Sequence, residues 1–284
     1  MPELPEVETI RRGLRKYILS QKITKIKVCC EKSFLGTPTL GKIINLRRFG
    51  KALVIDLDDN KSLMIHLRMT GQLIYDGKER YAAGHPSDNF TSNLPNKQTR
   101  VIIELENGVL YFNDQRKFGF IKVLETSTVE KDAFIKKLAK EPWQMTSAEF
   151  YEALQRHKNS VIKAVILDQT IICGLGNIYA DEALFMAKIH PKRRAGTITK
   201  KEAEKLLLSA REVMQKSIDS GGSTMRTYVK ADGTKGDYLE KFAQVFRREG
   251  KPCLRCGKKI IKTKVAGRGT HLCPNCQKEK GNHD

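Results

Sequence analysis

Cys253-Leu254-Arg255-Cys256 and Cys273-Pro274-Asn275-Cys276 lie near the end of a 284-residue chain, with residues 257–272 between them. Each pair is a C-x2-C knuckle, and two knuckles at this spacing can aim four thiolates at one tetrahedral Zn2+. Four protein ligands close the coordination sphere, so the expected cofactor is a single structural Zn2+ that takes no part in chemistry. Two disulfides are the alternative pairing, but no secretory signal accompanies them. Between the knuckles stand Lys258, Lys259, Lys262, Lys264, Arg268 and His271, which a metal-clipped hairpin would hold as a basic wedge. At its tip, glycines on both sides of Arg268 permit a tight turn that brings the guanidinium close to a phosphate; a merely solubilising tip is the other possibility.

Outward from the finger, charge is the next constraint. Lys and Arg number 52 against 32 Asp and Glu, for a formal net charge of +20, and the segment after residue 245 holds few acids. Such an imbalance points to a polyanionic partner. No amphipathic anchor accompanies the charge, which favours nucleic acid over a membrane surface. No apolar run approaches the roughly 18 residues of a membrane span, so a soluble, cytoplasmic protein is expected. Cys29, Cys30 and Cys173 sit in apolar stretches, as buried thiols in a reducing compartment would.

The chain is long enough for two ordinary domains. Val7, Ile10, Leu14, Tyr17 and Ile18 recur at helical spacing from about Pro5, which predicts a helix almost at the N-terminus. Short runs rich in Ile, Val and Leu follow at 23–29, 42–47, 52–57, 62–67, 100–106, 109–113 and 119–124, and predict a β-sandwich or flattened barrel. The polar segment from Asp76 to Gln98 reads as a long loop. Near 126 the strands stop, and a lysine-rich helical stretch runs through Phe134 and Leu138 to Glu141-Pro142. Thr146-Ser147-Ala148-Glu149 and Thr199-Lys200-Lys201-Glu202 both read as capping boxes that open helices. Between them lie an apolar stretch from Val161 to Leu167, Gly174-Leu175-Gly176-Asn177 and a helix from Ile178 to about Lys188. The fold class is α+β: an N-terminal β-sandwich with a leading helix over 1–128, a linker over 129–147, a helical domain over 148–245 and the finger over 246–280.

Two further segments could carry chemistry. If Met1 is removed, Pro2 becomes a secondary amine at the chain start, and the positive end of the following helix disfavours its ammonium form. A neutral amine of that kind can attack an electrophilic sugar carbon, with Glu3 as general acid. Glu6 and Glu8 then favour the helix start electrostatically. On composition alone, an acidic and proline-bearing segment is more often just a helix start. Gly174-Leu175-Gly176-Asn177 follows a helix-like stretch and lacks a third glycine, which argues against a dinucleotide fingerprint. Its turn could present backbone N–H groups and the Asn177 amide to a phosphate, or Asn177 could simply cap a helix.

Together the segments Pro2 to Glu8, Arg48-Phe49-Gly50-Lys51, His66-Leu67-Arg68-Met69-Thr70-Gly71, Asp114-Gln115-Arg116-Lys117-Phe118-Gly119, Gly176-Asn177-Ile178-Tyr179, Gly221-Gly222-Ser223-Thr224 and the finger with Gly267-Arg268-Gly269-Thr270-His271 resemble the bacterial formamidopyrimidine-DNA glycosylase family. The resemblance spans the whole chain. It implies a helix-two-turn-helix domain beside the sandwich, and a monomeric enzyme that excises oxidised purines from double-stranded DNA and then cleaves the abasic site. Pro2 would be the nucleophile and Glu3 its proton donor. Lys51 would hold the phosphate beside the lesion, with His66 assisting. Met69, Arg116 and Phe118 would enter the duplex, although without the resemblance Met69 and Phe118 would be ordinary core. Asn177 and Arg268 would clamp phosphates, while Thr224, Arg226 and Tyr228 would belong to a loop over the flipped base. The chain departs from the family's pattern over Asp88 to Thr99, which is longer and lacks the usual basic, histidine-containing run.

Two competing functions follow. An endonuclease VIII-like glycosylase for oxidised pyrimidines shares the Pro2 chemistry, but Leu4, Arg116 and Phe118 favour the purine enzyme. A non-catalytic zinc-finger DNA-binding protein would have no need of Pro2, Glu3 and Lys51.

Overall fold

Apolar residues spaced three and four apart dictate the first element, α1 (Leu4–Ile18). Val7, Ile10, Leu14 and Ile18 are at most 1% exposed, and each contributes roughly 1.5–3 kcal/mol through burial. The computed structural model describes residues 2–84, 93–222 and 238–279. They divide into two compact units: one runs to Lys136 and takes in the residues from Ser220 that precede Tyr238, and the other comprises Lys137–Asp219 and the chain from Tyr238 onward.

In the first unit the strands are β1 (Ile23–Val28), β2 (Phe34–Leu35), β3 (Ile43–Phe49), β4 (Ala52–Leu57), β5 (Lys61–His66), β6 (Gly71–Gly77), β7 (Arg80–Gly84), β8 (Thr99–Leu105), β9 (Gly108–Asp114) and β10 (Phe120–Glu125). They form two five-stranded sheets, ordered β1-β8-β9-β6-β7 and β2-β10-β5-β4-β3. Leu53, Ile55, Leu63 and Ile65 from one sheet share a single core with Leu73, Val101, Ile103 and Phe112 from the other, so the expected sandwich is present. Helix α1 adds its apolar stripe to that core and packs against β3 and β7, one edge strand of each sheet.

The long loop expected over 76–98 is corrected by β7. Tyr75 pairs with Tyr81 and Asp76 with Arg80 in a hairpin that continues the first sheet. Polar residues at its turn disguise it, because Asp76 and Arg80 make an ion pair across the strands at 2.5 Å. Tyr81 is buried and stacks on Tyr17 of α1 with ring centroids 5.5 Å apart. That contact requires Gly13: a Cβ there would lie 2.1 Å from the Tyr81 hydroxyl.

Past β10 the expected lysine-rich helix is also shorter than its composition suggests. A 3-10 segment (Thr126–Lys131) and a single helical turn, α2 (Ala133–Lys136), replace it. Asp132 interrupts the helix by accepting the Phe134 N–H at 2.9 Å and the Lys122 ammonium at 2.5 Å. The connector lies along β5 and β10, with Val129 and Ile135 buried, so β4 and β5 are covered on both faces.

The second unit contains α3 (Ser147–Arg156), α4 (Ile162–Leu167), α5 (Asn177–Ala187), α6 (Lys200–Asp219), α7 (Tyr238–Lys241) and the hairpin β11 (Ile261–Val265) with β12 (Arg268–Leu272). Both capping boxes are closed. Glu149 N–H donates to Thr146 Oγ1 at 3.2 Å and Glu202 N–H to Thr199 Oγ1 at 3.2 Å, while each glutamate accepts the cap residue's N–H in return. Gly176, and not Asn177, is the cap residue of α5.

Replacing an interior helical glycine by alanine ordinarily gains about 1 kcal/mol. Gly13→Ala should do the opposite, because overpacking against Tyr81 costs roughly 1–3 kcal/mol. We expect a lower urea midpoint; a higher one would show that Tyr81 moves aside without cost.

Candidate active site and nucleic-acid interface

Pro2 and Glu3 are buried immediately before α1. Glu3 is the cap residue, and its backbone N–H donates to Glu6 Oε2 at 2.8 Å, so Glu6 does serve the helix start. Glu8 does not. Its carboxylate instead gathers Arg11 at 2.7 Å, Arg12 at 2.8 Å and Arg48 at 3.1 Å. Burial by itself would raise the Glu8 carboxyl, but the bonds and charges of these arginines outweigh it and bring it down to about 2.

Through Arg48, Glu8 fixes the turn that carries Lys51. Phe49 pairs with Ala52, leaving Gly50 and Lys51 as a two-residue hairpin turn. Gly50 supplies the left-handed φ of +54° that such turns require at their first position, and its carbonyl accepts the Arg48 guanidinium at 3.0 Å. Lys51 is buried, and its neighbour Ala52 faces His66 across β4 and β5.

His66 is buried as well, stacked on Phe120 at 6.0 Å and edge-on to Phe134 at 5.1 Å. Burial, and then the cations Arg68 and Lys51, push its imidazole down to about 3, so it is neutral at physiological pH. Nδ1 accepts the Arg68 N–H at 3.1 Å. The remaining proton must therefore sit on Nε2, which makes His66 a fixed, neutral donor beside two cations.

Two loops present the duplex-entering candidates. Met69 is partly exposed in the turn before β6, where the Gly71 N–H donates to the Leu67 carbonyl at 2.9 Å. Phe118 is 55% exposed and Arg116 lies over its ring at 4.8 Å, so Phe118 is not core. The buried Asp114 carboxylate organises this loop by accepting the N–H groups of Gly119 at 2.7 Å and Arg116 at 3.2 Å. Thr70 Oγ1 also donates to Asp114, so the turn after Met69 and the loop of Arg116 share one carboxylate.

In the second unit, Asn177 opens α5 and its amide donates to the Gly269 carbonyl in the finger at 2.9 Å. Val265 pairs with Arg268, so Ala266 and Gly267 form the finger's tip with φ +49° and +73°. Arg268 is exposed as the first residue of β12 and Gly269 is the second, so of the two glycines flanking Arg268 only Gly267 belongs to the turn. The sulfurs of Cys253, Cys256, Cys273 and Cys276 all lie within 4.8 Å of one another. The N–H groups of Arg255 and Cys276 point at Cys253 and Cys273 Sγ, both at 3.4 Å. Four converging thiolates with N–H support fit one structural Zn2+. Of the other cysteines Cys173 is buried as expected, but Cys29 is exposed and Cys30 partly so. Thr224, Arg226 and Tyr228 lie outside the described residues.

Beside Asn177 and Gly269 lies a polar node that motif reading missed. Lys163 of α4 meets Asp181 of α5 at 2.6 Å, with both side chains fully buried. The same ammonium donates to Thr270 Oγ1 at 2.7 Å and the Gly269 carbonyl at 3.2 Å, and Asp181 accepts the His271 N–H at 2.9 Å. Glu182 accepts the N–H groups of Gln244, Val245 and Phe246 at 2.8, 3.0 and 2.8 Å. Burial raises its carboxyl against the pull of these three bonds. The only signal in the sequence was a lone lysine and two adjacent acids inside apolar helices.

Two outcomes test this geometry. The His66 imidazole, followed by NMR in the protein without DNA, should stay neutral down to about pH 4; a midpoint near 6.5 would refute the buried, cation-flanked setting. Because the unfolded chain binds that proton near pH 6.5 and the folded one does not, the stability His66 contributes is present above that pH and falls away on acidification toward 3. Lys163→Met should cost roughly 3–5 kcal/mol by stranding Asp181, read as a lower urea midpoint of the zinc-loaded protein.

The chain matches three family models in order: the formamidopyrimidine-DNA glycosylase N-terminal domain over residues 1–121, the H2TH domain of the same glycosylase over 138–229 and the zinc finger found in FPG and IleRS over 250–278. It is 42% identical to the formamidopyrimidine-DNA glycosylase of Pelotomaculum thermopropionicum, covering 99% of this chain and 100% of that relative. The Streptococcus pyogenes glycosylase is 40% identical, again over 99% and 100% of the two chains. Among solved structures, a Lactococcus lactis FPG variant in complex with Fapy-dG-containing DNA superposes with a TM-score of 0.86 at 35% identity, over 98% of this chain and 100% of the other. MutM in complex with carbocyclic 8-oxo-G-containing DNA gives a TM-score of 0.84 at 35% identity over 98% and 100%. Matched from its leading helix to its finger, the chain belongs to the formamidopyrimidine-DNA glycosylase family.

Proposed function

We propose that this chain is a bifunctional DNA glycosylase and abasic-site lyase that excises oxidised purines, 8-oxoguanine and formamidopyrimidines, from double-stranded DNA. The observation that carries this function is Pro2-Glu3 standing directly before the N-terminus of α1 in a chain that matches the family throughout. Solved relatives of the same fold are bound to DNA containing Fapy-dG or an abasic site. Among the described residues no helix is long and apolar enough to cross a membrane. We place the protein in the cytoplasm, at the bacterial nucleoid, where its substrate lies.

In this mechanism the damaged nucleotide leaves the stack, and Met69, Arg116 and Phe118 occupy the space it vacates. Exposure of Phe118 supports that role, since an apolar ring held in water by an organised loop has a surface to meet. With Met1 removed, the Pro2 nitrogen attacks C1′, the bond from C1′ to the base breaks, and the base departs with its electron pair and acquires a proton. Glu3 protonates the ring oxygen as the sugar opens, leaving an iminium between Pro2 and C1′. The iminium acidifies C2′. Loss of a C2′ proton expels the 3′ phosphate, a second elimination expels the 5′ phosphate, and hydrolysis releases the sugar remnant and restores the amine. Lys51 and His66 hold the phosphate beside the lesion, Asn177 and Arg268 clamp neighbouring phosphates, and the segment with Thr224, Arg226 and Tyr228 closes over the base.

Borohydride should trap a covalent adduct between the protein and a duplex carrying 8-oxoguanine opposite cytosine, and Pro2→Gly should lose most of it while still binding duplex. Absence of an adduct on both that duplex and an abasic one refutes the enzyme. Undiminished trapping by Pro2→Gly would show that a primary amine, whether the variant's own N-terminus or Lys51, serves in place of the proline nitrogen.

A further inference from the structure

Arg68 has no assigned role, yet its setting is unusual. It adopts φ +50°, a left-handed conformation that costs a non-glycine residue energy and persists only where the surroundings impose it. Its side chain is exposed, and among the described residues it makes no ion pair. Two neighbouring arginines show what a structural role looks like in this sheet: Arg47 forks onto Asp56 at 2.7 and 2.9 Å, and Arg48 reaches Glu8 at 3.1 Å. Instead of a carboxylate, Arg68 has two aromatic faces. Its guanidinium carbon lies 5.8 Å from the Phe120 ring centroid and 5.7 Å from that of Phe134, and those rings meet edge-on at 6.2 Å. Cation–π contact of this kind restrains the guanidinium without using up its N–H donors.

The neighbours of Arg68 share this polarity. Lys51 is a cation, and His66 is neutral with its proton on Nε2 because the Arg68 N–H occupies Nδ1 at 3.1 Å. Lys51 and Arg68 thus add two cations around one neutral donor, and the complement of such a set is an anion with several oxygens. Arg68 also directly precedes Met69, so it stands where the strand around a flipped nucleotide would pass.

We propose that Arg68 is a third phosphate ligand, taking a backbone phosphodiester of the lesion-bearing strand alongside Lys51 and His66, with Phe120 and Phe134 as its positioning residues. The proposal rests on the glycosylase function above and adds to it a contact fixed by ring stacking.

The probe is a duplex bearing a tetrahydrofuran abasic analogue, with Kd measured across a salt series. Arg68→Gln should weaken binding about tenfold at low salt and reduce the log-log salt slope by about 0.9, the share of one phosphate contact. Arg68→Gly, which suits the left-handed backbone, should do the same and guards against misfolding of the glutamine variant. Arg68→Lys should keep the slope but lose affinity, because an ammonium neither stacks nor forks as a guanidinium does. Lys25→Gln removes the same charge from the edge strand β1 and should leave the slope unchanged. Arg68→Gly with wild-type slope and affinity overturns the proposal, as does Lys25→Gln lowering the slope equally, since net charge alone would then explain the effect. Borohydride trapping by the wild-type protein, run in parallel, separates the two levels: a missing wild-type adduct refutes the glycosylase, whereas a normal adduct with an unshifted Arg68→Gly slope refutes only this contact.

Discussion

The second unit is organised around one buried ion pair. Lys163 and Asp181 meet at 2.6 Å with no exposed side-chain surface, a burial that carries a desolvation penalty of several kcal/mol for each ion. The penalty is tolerable only because neither charge is left with spare capacity. The ammonium also bonds Thr270 Oγ1 and the Gly269 carbonyl, and the carboxylate takes the His271 N–H. Every one of those additional partners lies on β12. The pair therefore cannot be satisfied unless the finger hairpin sits against α4 and α5, and the same registration brings the Asn177 amide to Gly269. Glu182 acts likewise on the chain entering the finger, through three consecutive N–H groups. The metal fixes the finger internally, and buried charge fixes it to its helices.

The first unit uses carboxylates in a similar way. Asp114 ends β9 and spends its two oxygens on N–H and O–H donors from two loops, which presents Arg116 and Phe118 outward on a backbone with little freedom. Glu8 gathers three arginines and thereby joins the leading helix to the turn of Lys51. These acids are consumed by structure. Arg68 is held differently from Arg47 and Arg48: its guanidinium lies against Phe120 and Phe134 and not on a carboxylate, and its backbone is left-handed.

The chemistry proposed for Pro2 depends on the same economy of polar groups. The helix start beside Pro2 is closed by a capping box, with the Glu6 carboxylate on the Glu3 N–H and the Glu3 side chain on the Glu6 N–H, so the residue proposed as proton donor is held in place by the same helix. His66 offers the complementary lesson. Its motif suggested a histidine that assists at a phosphate; burial between aromatic rings makes it a neutral donor of fixed tautomer.

The sequence by itself determined what local rules can specify. Helical spacing placed α1, β-rich runs placed the sandwich, reciprocal Thr and Glu placed the starts of α3 and α6, and two C-x2-C knuckles placed the metal. Each depends on residues a few positions apart, or on a ligand whose geometry is known in advance. Tertiary structure alone decided the rest. Strand β7 was hidden because Asp76 and Arg80 pair across a hairpin instead of alternating with core, and its one large buried side chain, Tyr81, is accommodated by a glycine in a distant helix. Asn177 read equally as a cap or as a phosphate contact until the fold gave Gly176 the cap position and turned the amide to the finger. Phe118 would have been counted as core, since apolarity is visible in a sequence and exposure is not. The Lys163 and Asp181 node was invisible for the same reason: whether a charge is solvated or buried depends on partners more than a hundred residues away in the chain, which only the folded protein brings within bonding distance.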